Sequence, residues 1–364
     1  MSYRLLIIGL GDLGQRLAAE ISKFAEIDEL ILAGRRIEFG VTFAELLAAC
    51  SQIKVRFFEL DAEQQDAVEQ LLRDQRPDLI VQCASLFSPW YLRECQHPVA
   101  KVLRMAGFAA QIPAQLPPIT TVMSAVREID FPAPVVNCSY PDLTHPVLAQ
   151  LDLAPTVGIG NVGMIQYRVQ ATLLQQSKLS GTEVKSDLPL VRVLAHHSQI
   201  RAAMSSIRPS DTSSCPKVFI GEGGQRADEL VYAGLPLMSN RYLNALTTAS
   251  GLPILQALLP NKPPLRISAP GPLGLPGGYP IKIINRLIEL DLPQTINLET
   301  AIQDQWQSTQ LDGIADVDKD GTITFTESTK ALLRQVDPTL SEPLAPFSAR
   351  ERFNRMMSYL STTS

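Results

Sequence analysis

Apolar residues recur along the first part of the chain in two alternating patterns. Short apolar runs, typical of buried strands, alternate with longer stretches that carry an apolar stripe at helical spacing. The predicted strands are RLLIIG, ELILAG, IKVRFFEL, DLIVQCA and APVVNCS, and the predicted helices are QRLAAEISKF, TFAELLAAC and AEQQDAVEQLLRD. This alternation predicts an α/β Rossmann domain, a doubly wound parallel sheet, over residues 1–145. Residues 96–118 are predicted to hold one more helix and a proline-rich connection.

The pattern changes in the second part of the chain, residues 146–335, where a second α/β domain with a mixed sheet is predicted for substrate binding and dimerisation. VGIGNVGMIQYRVQATLLQQS indicates a turn entering a long helix, and LPLVRVLAHHSQIRA and PKVFIGEGG indicate strands. LPNKPPLRISAPGPLGLPGGYP has too many Pro and Gly residues for regular structure and is predicted to be a loop crossing a cleft. Residues 336–364 are predicted to form a helical tail that packs back on the body of the protein.

Three glycines, Gly9, Gly11 and Gly14, stand between the first predicted strand and the first predicted helix. A Gly-x-Gly-x-x-Gly motif in this context is typical of a dinucleotide-binding turn. The first glycine allows a tight turn, the second lets the backbone approach a pyrophosphate, and the third lets helix and strand pack closely. The motif therefore predicts a dinucleotide at this turn, which also contains Asp12 and Leu13. The alternative is a glycine turn without a ligand.

The end of the second predicted strand bears on the choice of nucleotide. An NAD site usually has an acidic residue there, about 20 residues beyond the glycines, to hold the ribose hydroxyls. This chain has Gly34 instead, followed by Arg35 and Arg36. A glycine leaves room for a 2′-phosphate, and guanidinium groups form charge-assisted hydrogen bonds with it. The sequence favours NADP(H); the alternative is that both arginines are solvated surface residues.

Residues after the third and fourth predicted strands complete the expected cofactor site. Asp61 is placed to flank the adenine, and Cys83, Ala84 and Ser85 follow a strand at its carboxyl end, where ligands bind in open α/β sheets. Ordinary loop packing is the alternative for these residues.

Two further positions are expected near the reacting groups. Asn137 ends the last predicted strand of the first domain, followed by Ser139, near where nicotinamide is expected. Asn161 lies in a glycine-flanked turn suited to backbone contacts with a substrate.

GLGDLG, LAGRR, the Asp of FELD and DLIVQCAS together resemble the saccharopine dehydrogenase-like family of NAD(P)-binding oxidoreductases. The resemblance covers the first domain well and the rest only in outline. It implies a Rossmann domain followed by an α/β domain whose sheet forms the substrate cleft and often dimerises, hence a homodimer. It also implies oxidation or reduction of C–N bonds in amino-acid derivatives, and it carries the cofactor role onto the glycines and the arginine pair.

Two groups of residues are candidates for proton transfer. His196 and His197 end a predicted strand, and adjacent strand residues point to opposite faces, so at most one readily faces a cleft. Histidine suits acid–base work near neutral pH. Arg201 follows closely and could bind a substrate carboxylate. The alternative places one histidine in the core, the other at the surface, and Arg201 in solvent.

The second group lies in GLPGGYPIK, residues 274–282. Gly277 and Gly278 permit close backbone approach, which would position Tyr279 as a hydrogen-bond donor and Lys282 as a carboxylate ligand. The alternative is a tight structural loop.

DVDKDGTITFTE, residues 316–327, matches the EF-hand calcium template in its ligand spacing. Asp312 and Gly313 stand immediately before it, however, where the template requires a helix. The alternating pattern around the Asp-Gly pair also predicts a β-hairpin, which is favoured over calcium binding.

Composition excludes several classes of function. The net charge of −5, with no basic run longer than two residues, argues against nucleic-acid binding. No apolar stretch approaches the roughly 20 residues that span a bilayer, and no leader pattern is present, so a cytoplasmic location is expected. The five cysteines contain no CxxC pair and are expected to be reduced thiols, so no metal site is predicted.

The sequence therefore predicts an NADP(H)-dependent dehydrogenase or reductase acting on a small carboxylate-bearing, amino-acid-like substrate. The alternative function is a non-catalytic NADP(H)-binding protein that senses redox state and regulates a partner.

Overall fold

The computed structural model describes residues 3–179, 188–238, 240 and 242–361. The strands are β1 (Tyr3–Ile8), β2 (Ile27–Gly34), β3 (Lys54–Glu59), β4 (Leu79–Gln82), β5 (Val135–Asn137), β6 (Val157–Gly158), β7 (Val191–Leu194), β8 (Lys217–Ile220), β9 (Gln225–Arg226), β10 (Leu265–Pro270), β11 (Gly278–Ile284), β12 (Leu287–Leu290), β13 (Ile314–Val317) and β14 (Ile323–Phe325). The α-helices are α1 (Asp12–Ile21), α2 (Ile37–Cys50), α3 (Gln65–Gln75), α4 (Tyr91–Glu94), α5 (Pro98–Met105), α6 (Ile112–Glu128), α7 (Pro141–Ala149), α8 (Val162–Leu179), α9 (Ile200–Ala203), α10 (Leu243–Ala257), α11 (Leu298–Thr309), α12 (Glu327–Arg334) and α13 (Ala349–Ser361).

The largest sheet has six strands in the order β3-β2-β1-β4-β5-β6. The pairings of β1 with β2 and β4, of β2 with β3, and of β4 with β5 are all parallel. This is the strand order of doubly wound dinucleotide-binding folds, in which the order reverses between β1 and β4 and ligands bind beyond the carboxyl ends of the strands. The predicted α/β fold class is confirmed.

The α/β core forms because the central residues of β1, β2 and β4 are aliphatic and are buried on both faces of the sheet. Leu6, Ile31 and Ile80 of these strands belong to one apolar cluster with Val68 and Leu72 of α3. Helices on both faces exclude water from the sheet, as the alternating sequence pattern predicts.

The proline-rich connection predicted in residues 96–118 is wrong, because much of it belongs to α6. Pro113 occupies the first turn of this helix, where no intrahelical N–H donor is needed. Pro118 lies inside the helix and cannot donate to the Ala114 carbonyl four residues earlier. The Leu86 N–H donates to that carbonyl instead, at 2.8 Å. The prolines therefore leave the helix intact and free a carbonyl that anchors the loop after β4.

Two compact units make up the chain. The first comprises Met1–Tyr140, Thr144–Thr156 and Asp312–Ser364, and the second comprises Pro141–Leu143 and Val157–Leu311. Residues 312–335 are predicted from the sequence to lie in the second domain, but in the structure they belong to the first unit.

Close packing explains this assignment. A Cβ at Gly313 would lie 2.9 Å from the Ala106 carbonyl oxygen, and one at Gly321 would lie 2.9 Å from the Val147 carbonyl oxygen. Helix α13 contacts α6 in the same unit, and Phe87 packs 5.5 Å from Phe353 of α13. Residues 362–364 of the predicted tail lie outside the described residues.

The second unit contains two antiparallel sheets, β7-β8-β9 and β10-β11-β12. A bridge between Ala195 and Gly278 joins β7 to β11. The Pro/Gly-rich stretch predicted as a loop across a cleft instead supplies β10 and the start of β11, so that prediction is wrong. Gly271, Pro272, Gly274, Pro276 and Gly277 lie in the turn between two strands that pair in register from Leu265 with Ile283 to Pro270 with Gly278.

The hairpin prediction for residues 316–327 is confirmed: β13 and β14 pair antiparallel, with Val317 opposite Ile323. The Asp318 carboxylate accepts the N–H groups of Asp320 and Thr322, at 3.2 and 2.9 Å, and closes the turn. Strand β13 thus stands where an EF-hand has its entering helix.

Candidate functional site

The glycine-rich turn between β1 and α1 distinguishes two kinds of glycine. Gly9 has φ +99°, and a Cβ there would lie 2.5 Å from the Ala84 nitrogen; one at Gly14 would lie 2.0 Å from the Gly9 carbonyl oxygen. A Cβ at Gly11, by contrast, would meet no described atom within 4 Å. Gly9 and Gly14 are therefore required by packing, whereas Gly11 leaves open space of the kind that a bound pyrophosphate would fill.

Helix α1 begins directly at this space. Gly11 is its N-cap residue, so the backbone N–H groups of the first turn, including those of Asp12 and Leu13, have no partners within the helix. The exposed Asp12 carboxylate accepts a hydrogen bond from Arg16 at 2.9 Å, which compensates its negative charge. The helix dipole adds positive potential at this end, suited to an anion.

Two arginines follow β2, and the structure positions one of them. The Arg36 guanidinium donates to the Leu10 carbonyl of the glycine-rich turn at 2.9 Å and stacks 4.3 Å above the Phe39 ring. Arg35 is exposed. A Cβ at Gly34 would lie 3.8 Å from the Leu10 nitrogen, which is ordinary contact. Packing therefore does not require a glycine at the end of β2.

Asp61 lies after β3 beside a second acid. Its carboxylate accepts the Glu63 N–H at 3.1 Å, and Glu63 itself pairs with Arg350 at 2.6 Å. Burial raises the pKa of Glu63, against the effect of Arg350, and the charge of Asp61 raises it further. The positive charge of Arg35 acts in the opposite direction and lowers the pKa of Glu63. Of the two arginines, Arg36 is thus the one bonded to the glycine-rich turn.

The loop after β4 carries Cys83, Ala84 and Ser85, all half-buried. The Ser85 hydroxyl donates to the Phe87 carbonyl at 2.8 Å and closes its own turn. The Ala84 carbonyl accepts the Ser139 hydroxyl at 2.8 Å. These bonds tie the loops after β4 and β5 together at the carboxyl ends of the strands.

Asn137 is different from the other expected cofactor ligands. It is fully buried, and its amide donates to the Ser139 carbonyl and the Thr144 hydroxyl, at 3.2 and 3.1 Å. Its side-chain oxygen accepts the Ser139 N–H at 2.9 Å. Asn137 therefore holds the loop after β5 in shape, and a cofactor-contacting role is not supported by its bonds.

In the second unit, a buried carboxylate organises the predicted substrate-side residues. One oxygen of Asp142 accepts the His197 N–H at 2.7 Å, and the other accepts the Asn161 amide at 2.5 Å. The Asp142 carbonyl accepts the Gly277 N–H at 2.9 Å. Asn161 has φ +29°, unusual for a residue with a side chain, immediately before α8. The acid thus joins three segments that the sequence analysis treated separately.

His196 and His197 have different environments, as their positions predict. His196 is fully buried, and its Nδ1 accepts the Ser198 N–H at 3.2 Å, which caps the 3-10 turn His197–Gln199. His197 is half-buried. Arg201 is exposed on α9, one turn beyond His197. The structure therefore joins the His197 backbone and the Asn161 side chain to Asp142, leaves His196 in the core, and leaves Arg201 on the exposed side of α9.

Tyr279 and Lys282 do not act together, because residues three apart on β11 point to opposite faces of the sheet. Tyr279 is fully buried, and burial, with the charges of Asp304 and Asp142, raises its pKa well above the usual range. Lys282 lies 3.4 Å from Asp291, in an ion-pair network. The prediction of this pair as a joint proton donor and carboxylate ligand is therefore corrected.

The two glycines before Tyr279 serve packing. A Cβ at Gly277 would lie 1.8 Å from the Gln305 side-chain oxygen, and one at Gly278 would lie 2.4 Å from Val162. The close approach expected of them is present, but to the protein's own helices α11 and α8.

Asp142 and Phe39 are not among the site residues predicted from the sequence. The only local signal for Asp142 is an acid in the first turn after Tyr140-Pro141, a common N-terminal helix pattern. Its partners lie 19 and 55 residues away, beyond the reach of any local pattern. Phe39 follows Arg36 at a spacing that stacks the two side chains only once α2 has formed.

Comparison with solved structures shows the same fold in two dehydrogenases. The chain is similar to a malate dehydrogenase from Cryptosporidium parvum, with 17% identity over 85% of this chain and 97% of the other and a TM-score of 0.54. It is also similar to a lactate dehydrogenase from Eimeria maxima with NADH and oxamate, with 14% identity over 85% of this chain and 92% of the other and a TM-score of 0.51. At such identities the likeness concerns the fold.

No protein-family model matches the sequence, and no curated protein matches it. The structural neighbours are lactate and malate dehydrogenases, and the resemblance to the saccharopine dehydrogenase-like family receives no specific support.

Within the described part of the chain, no helix is both long enough and apolar enough to cross a membrane. The same residues contain no cluster of three or more His, Cys, Asp or Glu side chains arranged to hold a metal ion.

Proposed function

We propose that this chain is an NADP(H)-dependent oxidoreductase that transfers a hydride to or from a small carboxylate-bearing substrate. The observation that carries the proposal is the position of Arg36, whose guanidinium is held against the glycine-rich turn by Leu10 and Phe39. A cation held in advance at the end of β2 suits the 2′-phosphate of NADP(H), because little side-chain entropy remains to be lost on binding.

The glycine-rich turn supports the rest of the cofactor site. Open space at Gly11 and the N–H groups at the start of α1 suit a pyrophosphate. The absence of a side chain at Gly34 leaves room beside Arg36 and places no negative charge near a 2′-phosphate. The bound nicotinamide would supply the hydride chemistry, while the protein binds and orients it.

The Asp142 cluster supports a substrate role for the second unit. Asp142 holds the backbone of His197 and the side chain of Asn161, both of which are partly accessible. His197 suits proton transfer, and Arg201, one turn away, suits a carboxylate. The structural neighbours are named for malate and lactate, and one contains NADH and oxamate. Small hydroxy and keto acids therefore join amino-acid-like compounds as the first substrates to test.

A second function, NADP(H) binding without turnover, is favoured by one observation. Three of the five predicted catalytic residues are poorly placed to contact a substrate, since His196 and Tyr279 are fully buried and Lys282 is paired with Asp291. A redox-sensing regulator needs only the nucleotide site. Homodimerisation and a cytoplasmic location also stay predictions.

The cofactor assignment is tested by titrating NADPH and NADH into wild type, Arg36→Ala, Gly34→Asp and the control Arg334→Ala, following nicotinamide fluorescence. Arg36→Ala should bind NADPH roughly 10–100-fold more weakly, because one charge-assisted contact is worth about 1.5–3 kcal/mol. Its affinity for NADH should be unchanged. Gly34→Asp should reverse the preference, because its Cβ fits and its carboxylate repels the phosphate. Arg334, exposed on α12, should leave both affinities unchanged.

Equal affinity of the wild type for both nucleotides would refute the NADP(H) assignment. Turnover is tested separately with 2-keto acids, 2-hydroxy acids and imines of amino acids. His197→Gln should lower kcat by about 10²–10⁴-fold, as loss of a general acid does. Arg201→Leu should mainly raise KM. Tight NADPH binding with no turnover across the panel would favour the regulator.

A further inference from the structure

Two cysteines meet at the floor of the nucleotide crevice. Cys83 directly follows β4 and Cys138 directly follows β5, and these adjacent strands pair in register with Gln82 opposite Asn137. The two sulfur atoms are 3.3 Å apart. Both residues are half-buried, and both are free thiols. The sequence shows no such pair, because the two positions are 55 residues apart.

The backbone geometry suits a disulfide. Neighbouring strands lie about 4.8 Å apart, within the range of about 4.4–6.8 Å between the Cα atoms of bonded cysteines. The Cys138 N–H donates to the Gln82 carbonyl at 2.8 Å, and the Cys83 N–H donates to the Ile8 carbonyl at 2.8 Å, so both backbones are held. Bond formation requires the sulfurs to close to about 2.05 Å, which small side-chain rotations can supply.

We propose that Cys83 and Cys138 form a reversible disulfide in response to a peroxide, and that this disulfide weakens binding at the glycine-rich turn. The second part rests on the proposed nucleotide function, and the first part does not.

The reaction with hydrogen peroxide balances in two steps. The Cys83 sulfur attacks one peroxide oxygen as its thiol proton is lost, the O–O bond breaks, and the departing hydroxide takes up a proton as water, giving a sulfenic acid. The Cys138 sulfur then attacks the sulfenic sulfur, the S–O bond breaks, and the Cys138 proton leaves with the hydroxyl as water. The two sulfurs lose two electrons to the peroxide. A hydrogen bond with Cys83, and then burial, raise the pKa of Cys138, so the first attack falls to Cys83.

The pair lies against the predicted pyrophosphate site. A Cβ at Gly14 would lie 3.7 Å from the Cys83 Cβ, and one at Gly9 would lie 2.9 Å from the Cys83 carbonyl carbon and 2.5 Å from the Ala84 nitrogen. The loop after β4 and the glycine-rich turn therefore touch without spare volume. Rotation of the Cys83 side chain toward Cys138 therefore changes its packing beside Gly14, which is the route by which the disulfide would act on the glycine-rich turn.

The first experiment treats reduced protein with equimolar hydrogen peroxide, counts free thiols, and maps cross-linked peptides for wild type, Cys83→Ser, Cys138→Ser and the control Cys50→Ser. Cys50 is an exposed thiol at the end of α2. Wild type should fall from five free thiols to three with a Cys83–Cys138 cross-link, and Cys50→Ser should form the same cross-link. Neither single variant at the pair should form it. Retention of all five thiols, or a cross-link elsewhere, would overturn the proposal.

The second experiment measures NADPH affinity before and after oxidation. Oxidised wild type should bind at least about fivefold more weakly, and NADPH should shift the thiol–disulfide equilibrium in a glutathione buffer toward the thiols by the same factor. Cys138→Ser should bind equally with and without peroxide. A cross-link with unchanged affinity refutes the coupling alone. If reduced protein binds no NADPH, the nucleotide function and the coupling both fail, while the thiol count still decides the disulfide.

Discussion

The proposed nucleotide crevice of the first unit and the Asp142 cluster of the second are built on opposite principles. The crevice depends on missing atoms, since Gly9 and Gly14 let backbone segments approach and Gly11 leaves open space. The cluster depends on one charged side chain that satisfies donors from two other segments. A crevice of the first kind is intolerant of added volume, and a cluster of the second kind is intolerant of lost charge. The comparison therefore predicts different responses to substitution in the two units.

The largest effect is expected from Gly9→Ala. The new Cβ would meet the Ala84 nitrogen at 2.5 Å in a backbone with φ +99°. Strain and overpacking together should lower the free energy of unfolding by about 3–5 kcal/mol. Thermal unfolding should show a large fall in the Tm of the first unit, with loss of NADPH binding.

Gly11→Ala is the matched control, because its Cβ meets no described atom within 4 Å and its φ is −74°. It should leave the Tm within about 4 °C, since Gly→Ala at an exposed compatible site changes stability by about 1 kcal/mol or less. NADPH affinity should fall at least about tenfold, as the methyl group occupies the pyrophosphate's place. Unchanged affinity in Gly11→Ala would contradict the crevice assignment.

The second prediction concerns acid sensitivity in the second unit. Asp291 and Arg192 are both buried and paired at 3.1 Å, and Arg266 adds a pair at 2.8 Å. Although burial opposes the effect, hydrogen bonds from Arg266 and Arg192 lower the pKa of Asp291. A lowered pKa stabilises the fold above the unfolded value of about 3.9, and that stability is lost as the pH falls through the folded value.

Asp291→Asn should therefore cost about 3 kcal/mol near neutral pH, because it leaves the buried Arg192 with only the exposed Glu222 as an ion-pair partner. The difference from wild type should shrink as the pH falls from about 5 to 3, measured as the Tm of the second unit across that range. A difference that stays constant with pH would show that the loss is steric rather than electrostatic.

The smallest effect is expected from Asp142→Asn, which keeps the volume but turns one acceptor into a donor facing another donor. Losing one buried hydrogen bond to His197 or Asn161 should cost about 1–3 kcal/mol. If the cluster forms the substrate site, turnover should fall while NADPH affinity is unchanged. Asn161→Gly separates the hydrogen bond of the Asn161 amide from the backbone conformation at this position. Glycine adopts φ +29° readily but has no amide to bond with Asp142. Loss of NADPH affinity in Asp142→Asn would contradict the proposal that the first unit binds the nucleotide and the second unit binds the substrate.

Most of the first unit could be predicted from sequence because its signals are local. Each strand reads as an apolar run, and the glycine motif lies within six residues of one turn. The β10–β11 pair could not be predicted, since its prolines and glycines lie at the turn and the strand ends, where they permit pairing. The same holds for α6, where the missing N–H of Pro118 matters less than the Leu86 donor that takes its place.

The sequence alone determined the strand–helix alternation, the glycine-rich turn and the basic residues at the end of β2, because each follows from neighbours along the chain. Only the tertiary structure decided which arginine is held at the turn, which histidine is buried, and that Cys83 meets Cys138. It also gave Asp142 its partners. These outcomes depend on contacts between residues as far apart in the sequence as Asp142 and Gly277, whose distances are set by how strands pair and helices pack rather than by local pattern.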